Sequence, residues 1–351
     1  MARHGVELSA MRRSKLIATL CAEHGLVIVG PEALTLRRVR CGKGFGFRTE
    51  AGAVLRDAKH VARLRSLAMP PAYADVRYAT DPAAHLQAVG TDAAGRLQYR
   101  YHPKWTDVRE ALKARRLGRL ARALPTIKRA VAKALTGESE DAAHAIAAIV
   151  HLVSLTAIRA GSESYARERG TRGASTLLKS NVRIDGGTVT LSFKAKGGKA
   201  VIKEVRDARL ARAFERLLAL PGRRLFQYRD AAGAVHQVRA QEVNAFLRDV
   251  VGRRISLKDF RTLVGSAGAL EALANLAPAT SQRARRSQLK AAMTTVAEAL
   301  ANTPTIARKS YVHSAIVEAF EDGRLARLRK PPRSAERKAA MLAKLVARHA
   351  A

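Results

Sequence analysis

The sequence predicts an α+β protein, in which a small N-terminal domain containing a β-sheet precedes a larger, mainly α-helical domain with a small β-hairpin insertion. Three observations support this. Hydrophobic residues make up 47% of the 351 residues but aromatic residues only 5%, a balance that suits helix packing better than stacked sheets. Short alternating runs are concentrated before residue 103. Apolar residues at helical spacing dominate after residue 125.

Residues 1–34 are predicted to form a basic flanking segment. Leu8, Met11 and Leu16 lie at helical spacing with arginine and lysine between them. From Thr35 the sequence becomes richer in glycine and short apolar alternations, as strands and turns are. The glycines near Gly42 do not form a phosphate-binding P-loop, because no Gly-Lys-Ser/Thr follows and no long apolar strand precedes them.

Residues 35–124 are predicted to form the sheet domain, with a short helix over 57–68 that ends before Pro70-Pro71. The last strand alternates two kinds of side chain. Its polar face carries Arg96, Gln98, Arg100 and His102, and its apolar face carries Leu97, Tyr99 and Tyr101. Hydrogen-bonding groups interleaved with aromatic rings suit contacts to DNA bases and phosphates. A strand with two core tyrosines would give the same pattern.

The second domain is predicted to span 125–322, because Pro125 marks a natural break after a stretch, 105–124, that is dense in Arg and Leu. Helices are expected from residue 126, followed by an insertion near Val182 whose Asp185-Gly-Gly187 is typical of a hairpin turn. Helices resume near Ala208. Residues 323–351 are predicted to form a basic, helical C-terminal tail.

The formal net charge is +35, from 64 Lys and Arg against 29 Asp and Glu. Such an excess destabilises a compact chain unless a polyanion is its partner, which favours nucleic acid over an anionic membrane. The longest apolar run, 145–158, is too short and too polar to span a bilayer, and the N-terminus lacks the pattern of a secretory signal. We therefore expect no membrane association and a cytoplasmic, nucleoid-associated location. Cys21 and Cys41 have no metal-binding spacing and are expected to be reduced thiols.

Four positions form a candidate phosphate-handling set. Tyr311 ends a segment that begins like a capped helix at Asn302 or Thr303, with Pro304 in its first turn. Arg159 follows an apolar helix and needs a partner, for which a phosphate and Glu163 are the candidates.

The other two members are a lysine and an arginine. Lys196 lies in the far turn of the predicted hairpin. Arg261 lies at a helix start, with Asp259 available to orient it.

With these residues the chain resembles the type IB DNA topoisomerases, in the compact form of bacteria and poxviruses. The resemblance covers nearly the whole chain from residue 35. It is carried by Pro70-Pro-Ala-Tyr-Ala-Asp-Val76, Gly95-Arg-Leu-Gln-Tyr-Arg-Tyr101, Arg159-Ala-Gly-Ser-Glu-Ser-Tyr165, Gly173-Ala-Ser-Thr-Leu177, Lys258-Asp-Phe-Arg-Thr262 and Lys309-Ser-Tyr311.

The resemblance implies a catalytic domain of the tyrosine recombinase/topoisomerase IB type. It further implies an enzyme that relaxes supercoiled double-stranded DNA by transient single-strand cleavage through a 3′-phosphotyrosyl intermediate, followed by strand rotation and religation. No ATP, other nucleotide, metal or cofactor is implied, and the protein is expected to be a monomer.

The resemblance also implies residue roles. Tyr311 is the expected nucleophile, Arg159 and Arg261 hold the phosphate oxygens, and Lys196 is the general acid. Ala195 stands where the family has glycine, so Lys194 and Lys199 remain alternatives for the acid. Asn302 stands where many relatives carry His and donates a hydrogen bond without a charge. DNA contacts are implied for Arg96, Gln98, Tyr99, Tyr101 and Tyr165.

Two alternatives remain open from the sequence. A tyrosine recombinase or integrase would share the catalytic domain, but its usual His-x-x-Arg box is Lys258-Asp-Phe-Arg261 here, and the sheet domain is foreign to it. A basic DNA-binding protein without catalysis would share the charge but would not need the four catalytic positions. The sequence favours the topoisomerase.

Overall fold

The structure is a computed structural model that describes residues 15–137, 139–327, 331–332 and 334–349. The chain divides into two compact units, Met1–Leu112 and Lys113–Ala351. Antiparallel sheets and helices occur together, so the prediction of a mixed α and β protein is confirmed. Among the described residues, none of the helices is both long enough and apolar enough to cross a membrane.

The first unit contains a five-stranded antiparallel sheet in the order β2-β1-β3-β4-β5. Ala88 of β4 packs in a cluster with Leu64 of α2, and its neighbour Val89 packs in a second cluster with Leu34. β5 lies at the edge, and its side chains are largely exposed. The elements are β1 (Leu36–Cys41), β2 (Gly44–Arg48), α2 (Ala58–Ser66), β3 (Ala74–Tyr78), β4 (Leu86–Thr91) and β5 (Leu97–Tyr101), after a first helix α1 described over 15–23.

Helix α1 lies within the basic flanking segment predicted over 1–34, and it packs on the first unit. Leu20 and Cys21 of this helix are buried in a cluster with Val108, against which Trp105 also packs. An apolar stripe therefore anchors residues 15–34 in the core of the first unit. Residues 1–14 lie outside the described part of the chain.

Helix α3 (Trp105–Thr136) corrects the predicted boundary, because it continues through Pro125. A proline inside a helix removes one hydrogen bond and strains the preceding turn. Burial offsets this cost here, since Leu120, Leu124 and Ile127 all lie in the hydrophobic core of the second unit. The division between the units falls earlier in the same helix, after Leu112, and not at residue 125.

The second unit is built around α4, whose buried side chains lie on all sides of the helix. Its helices are α4 (Ala142–Thr156), α5 (Glu163–Arg169), α6 (Ala208–Ala219), α7 (Ala240–Val251), α8 (Leu257–Ala274), α9 (Gln282–Ala299), α10 (Pro304–Ser310), α11 (Ser314–Glu321) and α12 (Ala335–His349).

Two small antiparallel sheets interrupt the helices of this unit. The predicted turn at Asp185-Gly-Gly187 is confirmed, since Asp185 pairs with Thr188 across it. The insertion has three strands, β6 (Val182–Asp185), β7 (Thr188–Lys194) and β8 (Ala200–Arg206), and not the two of a hairpin. A second hairpin, β9 (Gln227–Arg229) with β10 (Val235–Gln237), was not predicted.

Helix α12 lies within the basic, helical tail predicted over 323–351, but it packs on the second unit. Ala339, Leu342 and Val346 are buried in the main core of the second unit, and Lys338 forms an ion pair with Glu271 of α8. An apolar stripe at helical spacing makes α12 part of the second unit's core.

Candidate active site

Tyr311 lies at the C-terminal end of α10. Thr303 caps the start of this helix by accepting a hydrogen bond from the Ile306 amide (3.3 Å), and Pro304 occupies the first turn, as predicted. The Tyr311 amide donates to the Ala307 carbonyl (3.0 Å), and its own carbonyl accepts from the Ser266 hydroxyl (3.0 Å). The side chain is half-buried and faces α8.

Arg261 lies in the second turn of α8 and is 3% exposed. Its guanidinium donates to the carbonyls of Ala157 and Leu300, the latter at 2.9 Å, and its Cζ lies 4.8 Å from the centre of the Tyr311 ring. The prediction that Asp259 orients Arg261 is wrong. Asp259 accepts hydrogen bonds from the Ser256 amide and hydroxyl, both at 2.9 Å, and so caps its own helix.

Arg159 follows α4, after a turn in which Ala157 takes the left-handed conformation (φ +51°). Its guanidinium donates to the Ala301 carbonyl (3.3 Å) and to Oδ1 of Asn302. Glu163, the carboxylate expected as a possible partner, instead pairs with Arg224 at 2.5 Å. Arg159 therefore keeps its positive charge uncompensated by Glu163.

Asn302 brings a polar amide into the same cluster. Its Oδ1 is used by Arg159, whereas its Nδ2 is buried and has no hydrogen-bond partner among the described residues. Nε of Arg261 is likewise buried and has no hydrogen-bond partner among the described residues. A buried donor without a partner costs about 1–3 kcal/mol. Such donors suit a site that receives the oxygens of a bound phosphate.

The β7–β8 turn carries Lys196 and borders this cluster. Lys196 opens a short 3₁₀ turn and is exposed, and Gly197 and Gly198 follow with φ of +80° and +77°. Lys199 donates to the Asn302 carbonyl (3.0 Å), and Lys203 on β8 donates to the Ala299 carbonyl (2.9 Å). Two lysines thus dock the hairpin on the segment that bears Asn302.

The charges around Tyr311 change its acidity. Burial raises the pKa of the phenol, but the opposing effect of the nearby Arg261 guanidinium outweighs burial, with further help from the charges of Arg159 and Lys258. The pKa of Tyr311 therefore lies below its usual value near 10. A more acidic phenol is a better nucleophile at neutral pH.

Sequence analysis missed the part played by two cations of this cluster, Lys203 and Lys258. Lys203 lines a cavity of about 10 Å³ together with Arg159, Arg172 and Arg261. Burial lowers the pKa of Lys203, and the charge of Arg261 lowers it further. The sequence does indicate that Lys203 is partly buried, because it shares a strand face with Val201 and Val205. Lys258 was noted only as part of a motif, and its charge acts on Tyr311.

The predicted DNA-contacting residues lie in both units. Tyr99 is 48% exposed and Tyr101 is 39% exposed, so neither is a core tyrosine. Their rings stack at 6.1 Å on β5 of the first unit, which also carries Gln98 and which Arg96 immediately precedes. Tyr165 lies on α5 of the second unit, is 40% exposed, and has Cζ of Arg169 5.2 Å from its ring centre.

The second unit thus brings Tyr311, Arg159, Arg261 and Asn302 together, with the Lys196 turn beside them. These residues come from segments distant in sequence. In the part of the chain that the structure describes, no group of three or more His, Cys, Asp or Glu side chains could hold a metal ion.

Two family profiles match the chain. Residues 103–338, more than half of the chain, match the catalytic core of eukaryotic DNA topoisomerase I. Residues 44–92 match the N-terminal domain of bacterial DNA topoisomerase IB. The chain belongs to the type IB DNA topoisomerase family. As a type IB topoisomerase it is an isomerase that acts on DNA, and the recombinase interpretation is set aside.

A viral relative agrees with this assignment. The DNA topoisomerase 1B of Acanthamoeba polyphaga mimivirus is 29% identical over 271 residues, which are 75% of this chain and 81% of the relative. The topoisomerase IB matches include the sheet of the first unit from β2 to β4 and most of the second unit.

Proposed function

We propose that this type IB topoisomerase relaxes supercoiled DNA with Tyr311 as its nucleophile. The phenol oxygen attacks a backbone phosphorus and loses its proton to solvent, while the bond from phosphorus to the 5′ oxygen breaks. The 3′-phosphotyrosyl link that forms retains the free energy of the broken bond, so religation needs no ATP or metal. The observation that carries the proposal is the convergence of Tyr311 with Arg159, Arg261 and Asn302.

Arg159 and Arg261 are proposed to hold the non-bridging oxygens of the phosphate. Negative charge grows on these oxygens during attack, and a preorganised guanidinium stabilises it without reorganising. Asn302 is proposed to add a neutral hydrogen bond through Nδ2, the buried donor that lacks a partner among the described residues. Its effect should be smaller, because an amide carries no charge.

Lys196 is proposed to be the general acid that protonates the departing 5′ oxygen. Its exposed position in the turn beside Asn302 allows a long side chain to reach a bound strand. Lys199 fits this role less well, because its ammonium already donates to the Asn302 carbonyl. Lys194 remains the other alternative, since it lies at the end of β7 and is exposed.

The first unit, through β5, is proposed to bind duplex DNA with Arg96, Gln98, Tyr99 and Tyr101, and Tyr165 is proposed to add a contact from the second unit. Exposed aromatic and hydrogen-bonding side chains on one edge strand support this. We also propose that the second unit has the fold of the tyrosine recombinase/topoisomerase IB type. The enzyme is proposed to act as a nucleoid-associated monomer that uses no nucleotide.

The reaction can be tested by plasmid relaxation in EDTA without ATP. We expect the wild-type protein to convert negatively supercoiled plasmid to relaxed topoisomers under these conditions. Relaxation that requires ATP or a divalent cation would contradict the proposed chemistry. Change only on plasmids with a specific paired site would indicate recombination.

The nucleophile can be tested with Tyr311→Phe. This variant should bind DNA with wild-type affinity but give no covalent protein–DNA adduct when reactions are stopped with SDS, because the attacking oxygen is missing. Tyr228→Phe is the matched control, since Tyr228 is a half-buried tyrosine that stacks on His236 away from the cluster. An adduct that persists in Tyr311→Phe would assign the nucleophile elsewhere.

A further inference from the structure

The turn between β4 and β5 is organised by one carboxylate. Oδ1 of Asp92 accepts hydrogen bonds from the amides of Ala94 and Arg96, both at 3.0 Å. The Asp92 amide donates to the Arg96 carbonyl (3.0 Å), and Gly95 supplies the left-handed residue that closes the turn (φ +71°). The first oxygen of Asp92 therefore serves the main chain.

The second oxygen of Asp92 serves two side chains that we propose to contact DNA. Oδ2 accepts from Arg96 at Nε (2.9 Å) and Nη2 (2.7 Å), and from Nε2 of Gln98 (2.9 Å). The Asp92 side chain is 11% exposed, whereas that of Arg96 is 61% exposed. A single carboxylate at the base of the strand thus holds an exposed guanidinium and a half-buried amide.

The chain contains a second turn of the same sequence, which shows that the main-chain contacts of Oδ1 do not depend on the side-chain contacts of Oδ2. Asp230-Ala-Ala-Gly233 joins β9 to β10, and Oδ1 of Asp230 accepts from the amides of Ala232 and Ala234, both at 2.9 Å. Among the described residues, the side-chain hydrogen bonds of its Oδ2 involve only His236. The Asp-Ala-Ala-Gly turn therefore forms without an arginine or a glutamine on its second oxygen.

The negative charge of Asp92 weakens DNA binding, so the contacts of its second oxygen with Arg96 and Gln98 need a separate explanation. Hydrogen bonds from the Arg96 side chain and main chain lower the pKa of Asp92 to about 2, so the carboxylate stays ionised near neutral pH. A negative charge beside DNA-contacting residues repels phosphates. It can still improve recognition, because it fixes side chains that would otherwise lose rotamer freedom on binding.

We propose that Asp92 is a positioning residue that presets Arg96 and Gln98 for base edges and so sets the sequence preference of DNA cleavage. This inference rests on the proposed role of β5 in DNA binding. Asp92 engages Nε and Nη2 of Arg96 and so fixes the plane of the guanidinium. It uses one N–H of Gln98, which leaves the amide oxygen and the second N–H as a fork. Such forks match guanine and adenine edges in the major groove.

The test compares Asp92→Asn with the matched control Asp230→Asn. Asparagine keeps an Oδ1 acceptor for the turn but places an N–H₂ group where Arg96 and Gln98 now donate. Two quantities are measured: the Kd for an arbitrary fluorescent duplex by anisotropy, and the distribution of SDS-trapped adducts along an end-labelled DNA fragment.

In Asp92→Asn the ratio of the strongest to the median cleavage site should fall by about tenfold, the scale of one bidentate base contact. Affinity for the arbitrary duplex should rise a few-fold, because a negative charge is removed. Asp230→Asn should change neither quantity. A wild-type site distribution in Asp92→Asn, with an altered one in Arg96→Ala or Gln98→Ala, would overturn the inference and leave the proposed role of β5 intact.

A double-mutant cycle separates positioning from general destabilisation. In an Arg96→Ala, Gln98→Ala background, Asp92→Asn should have no further effect on the distribution of cleavage sites, because the two side chains that Asp92 positions are gone. A persisting effect would show that Asp92 acts through the fold and would overturn the inference. If the Arg96→Ala, Gln98→Ala variant itself binds and cleaves like wild type, the proposed DNA-contacting role of β5 fails, and this inference fails with it.

Discussion

At the residue scale, the cations around Tyr311 are held mainly by neutral acceptors. Arg261 donates to the carbonyls of Ala157 and Leu300, and Arg159 to the carbonyl of Ala301 and the amide oxygen of Asn302. A carbonyl satisfies an N–H group without cancelling the charge of the guanidinium, whereas a carboxylate would cancel it. The positive charge around Tyr311 is therefore preserved for a phosphate.

The general acid is tested by Lys196→Ala. Loss of a general acid should slow cleavage by about 10²–10⁴-fold, because the 5′ oxygen then leaves without a proton. A substrate with sulfur in place of that oxygen needs no proton and should restore the rate. Single-turnover cleavage of both substrates is the measurement.

Lys199→Ala is the comparison for this test. It removes the hydrogen bond to the Asn302 carbonyl, so it should slow both substrates alike. If sulfur substitution rescues Lys199→Ala or Lys194→Ala but not Lys196→Ala, the acid is one of those two residues.

The acidity of Tyr311 gives a pH prediction. Lys258 lowers the pKa of the phenol through its charge, so Lys258→Gln should raise that pKa. The rate of attack grows as pH rises through this pKa, because the phenolate fraction grows. The cleavage rate of Lys258→Gln should therefore be lower than wild type near pH 7 and approach it at alkaline pH.

Lys309→Gln serves as the control for that profile. Lys309 is exposed and lies two residues before Tyr311, but its charge is not among the causes of the Tyr311 shift. Single-turnover rates across the pH range should follow the wild-type curve in this variant. Equal displacement of both profiles would argue for a general loss of DNA affinity.

At the element scale, α8 connects Arg261 to Tyr311, the proposed nucleophile. The Ser266 hydroxyl donates to the Tyr311 carbonyl (3.0 Å) and accepts from the His313 amide (3.2 Å). Gly265 lies against the same residue, and a Cβ added there would meet Cβ of Tyr311 at 2.9 Å and its carbonyl oxygen at 3.2 Å. Helix α8 can approach Tyr311 this closely only because residue 265 lacks a side chain.

Gly265→Ala should therefore displace Tyr311 and slow cleavage by about a hundredfold, since small misplacements of a reacting group have effects of that order. Gly268→Ala, in the same helix, is the control. Its Cβ would meet Val296 at 3.4 Å, an ordinary contact, and alanine favours a helix interior by about 0.5–1 kcal/mol over glycine. Rates of adduct formation and urea unfolding curves check both variants. Equal rates in the two would contradict the role of Gly265.

At the scale of the whole molecule, the net charge of +35 governs affinity for DNA. Phosphate neutralisation releases counterions, so a protein with six to ten phosphate contacts loses about 10³–10⁵ in affinity between about 50 and about 200 mM salt. We expect nonspecific duplex binding by this protein to fall on that scale, with a linear plot of log K against log salt concentration. Anisotropy titrations measure it, and a nearly flat plot would contradict binding through phosphates.

Much of the local structure could be predicted from the sequence. The turn at Asp185-Gly-Gly187, the Thr303 and Pro304 helix start, and the presence of the last strand, β5, depend on neighbouring residues and were predicted correctly. Pro125 was wrongly predicted to end the preceding segment, because the cost of a proline inside a helix is offset here by burial that the local sequence does not reveal. Asp259 was misassigned for a similar reason, since a capping carboxylate and an orienting one have the same spacing.

The sequence by itself determined the charge, the mixture of elements and most residues of the candidate site, because composition, periodicity and motif order are properties of the chain. Only the tertiary structure decided which groups hold those residues: the carbonyls of Ala157, Leu300 and Ala301 for the arginines, and the Asn302 carbonyl for Lys199. Main-chain carbonyls are the same at every position, so no residue pattern marks the ones that will meet a distant guanidinium. Folding brings them together, and packing determines which of them are used.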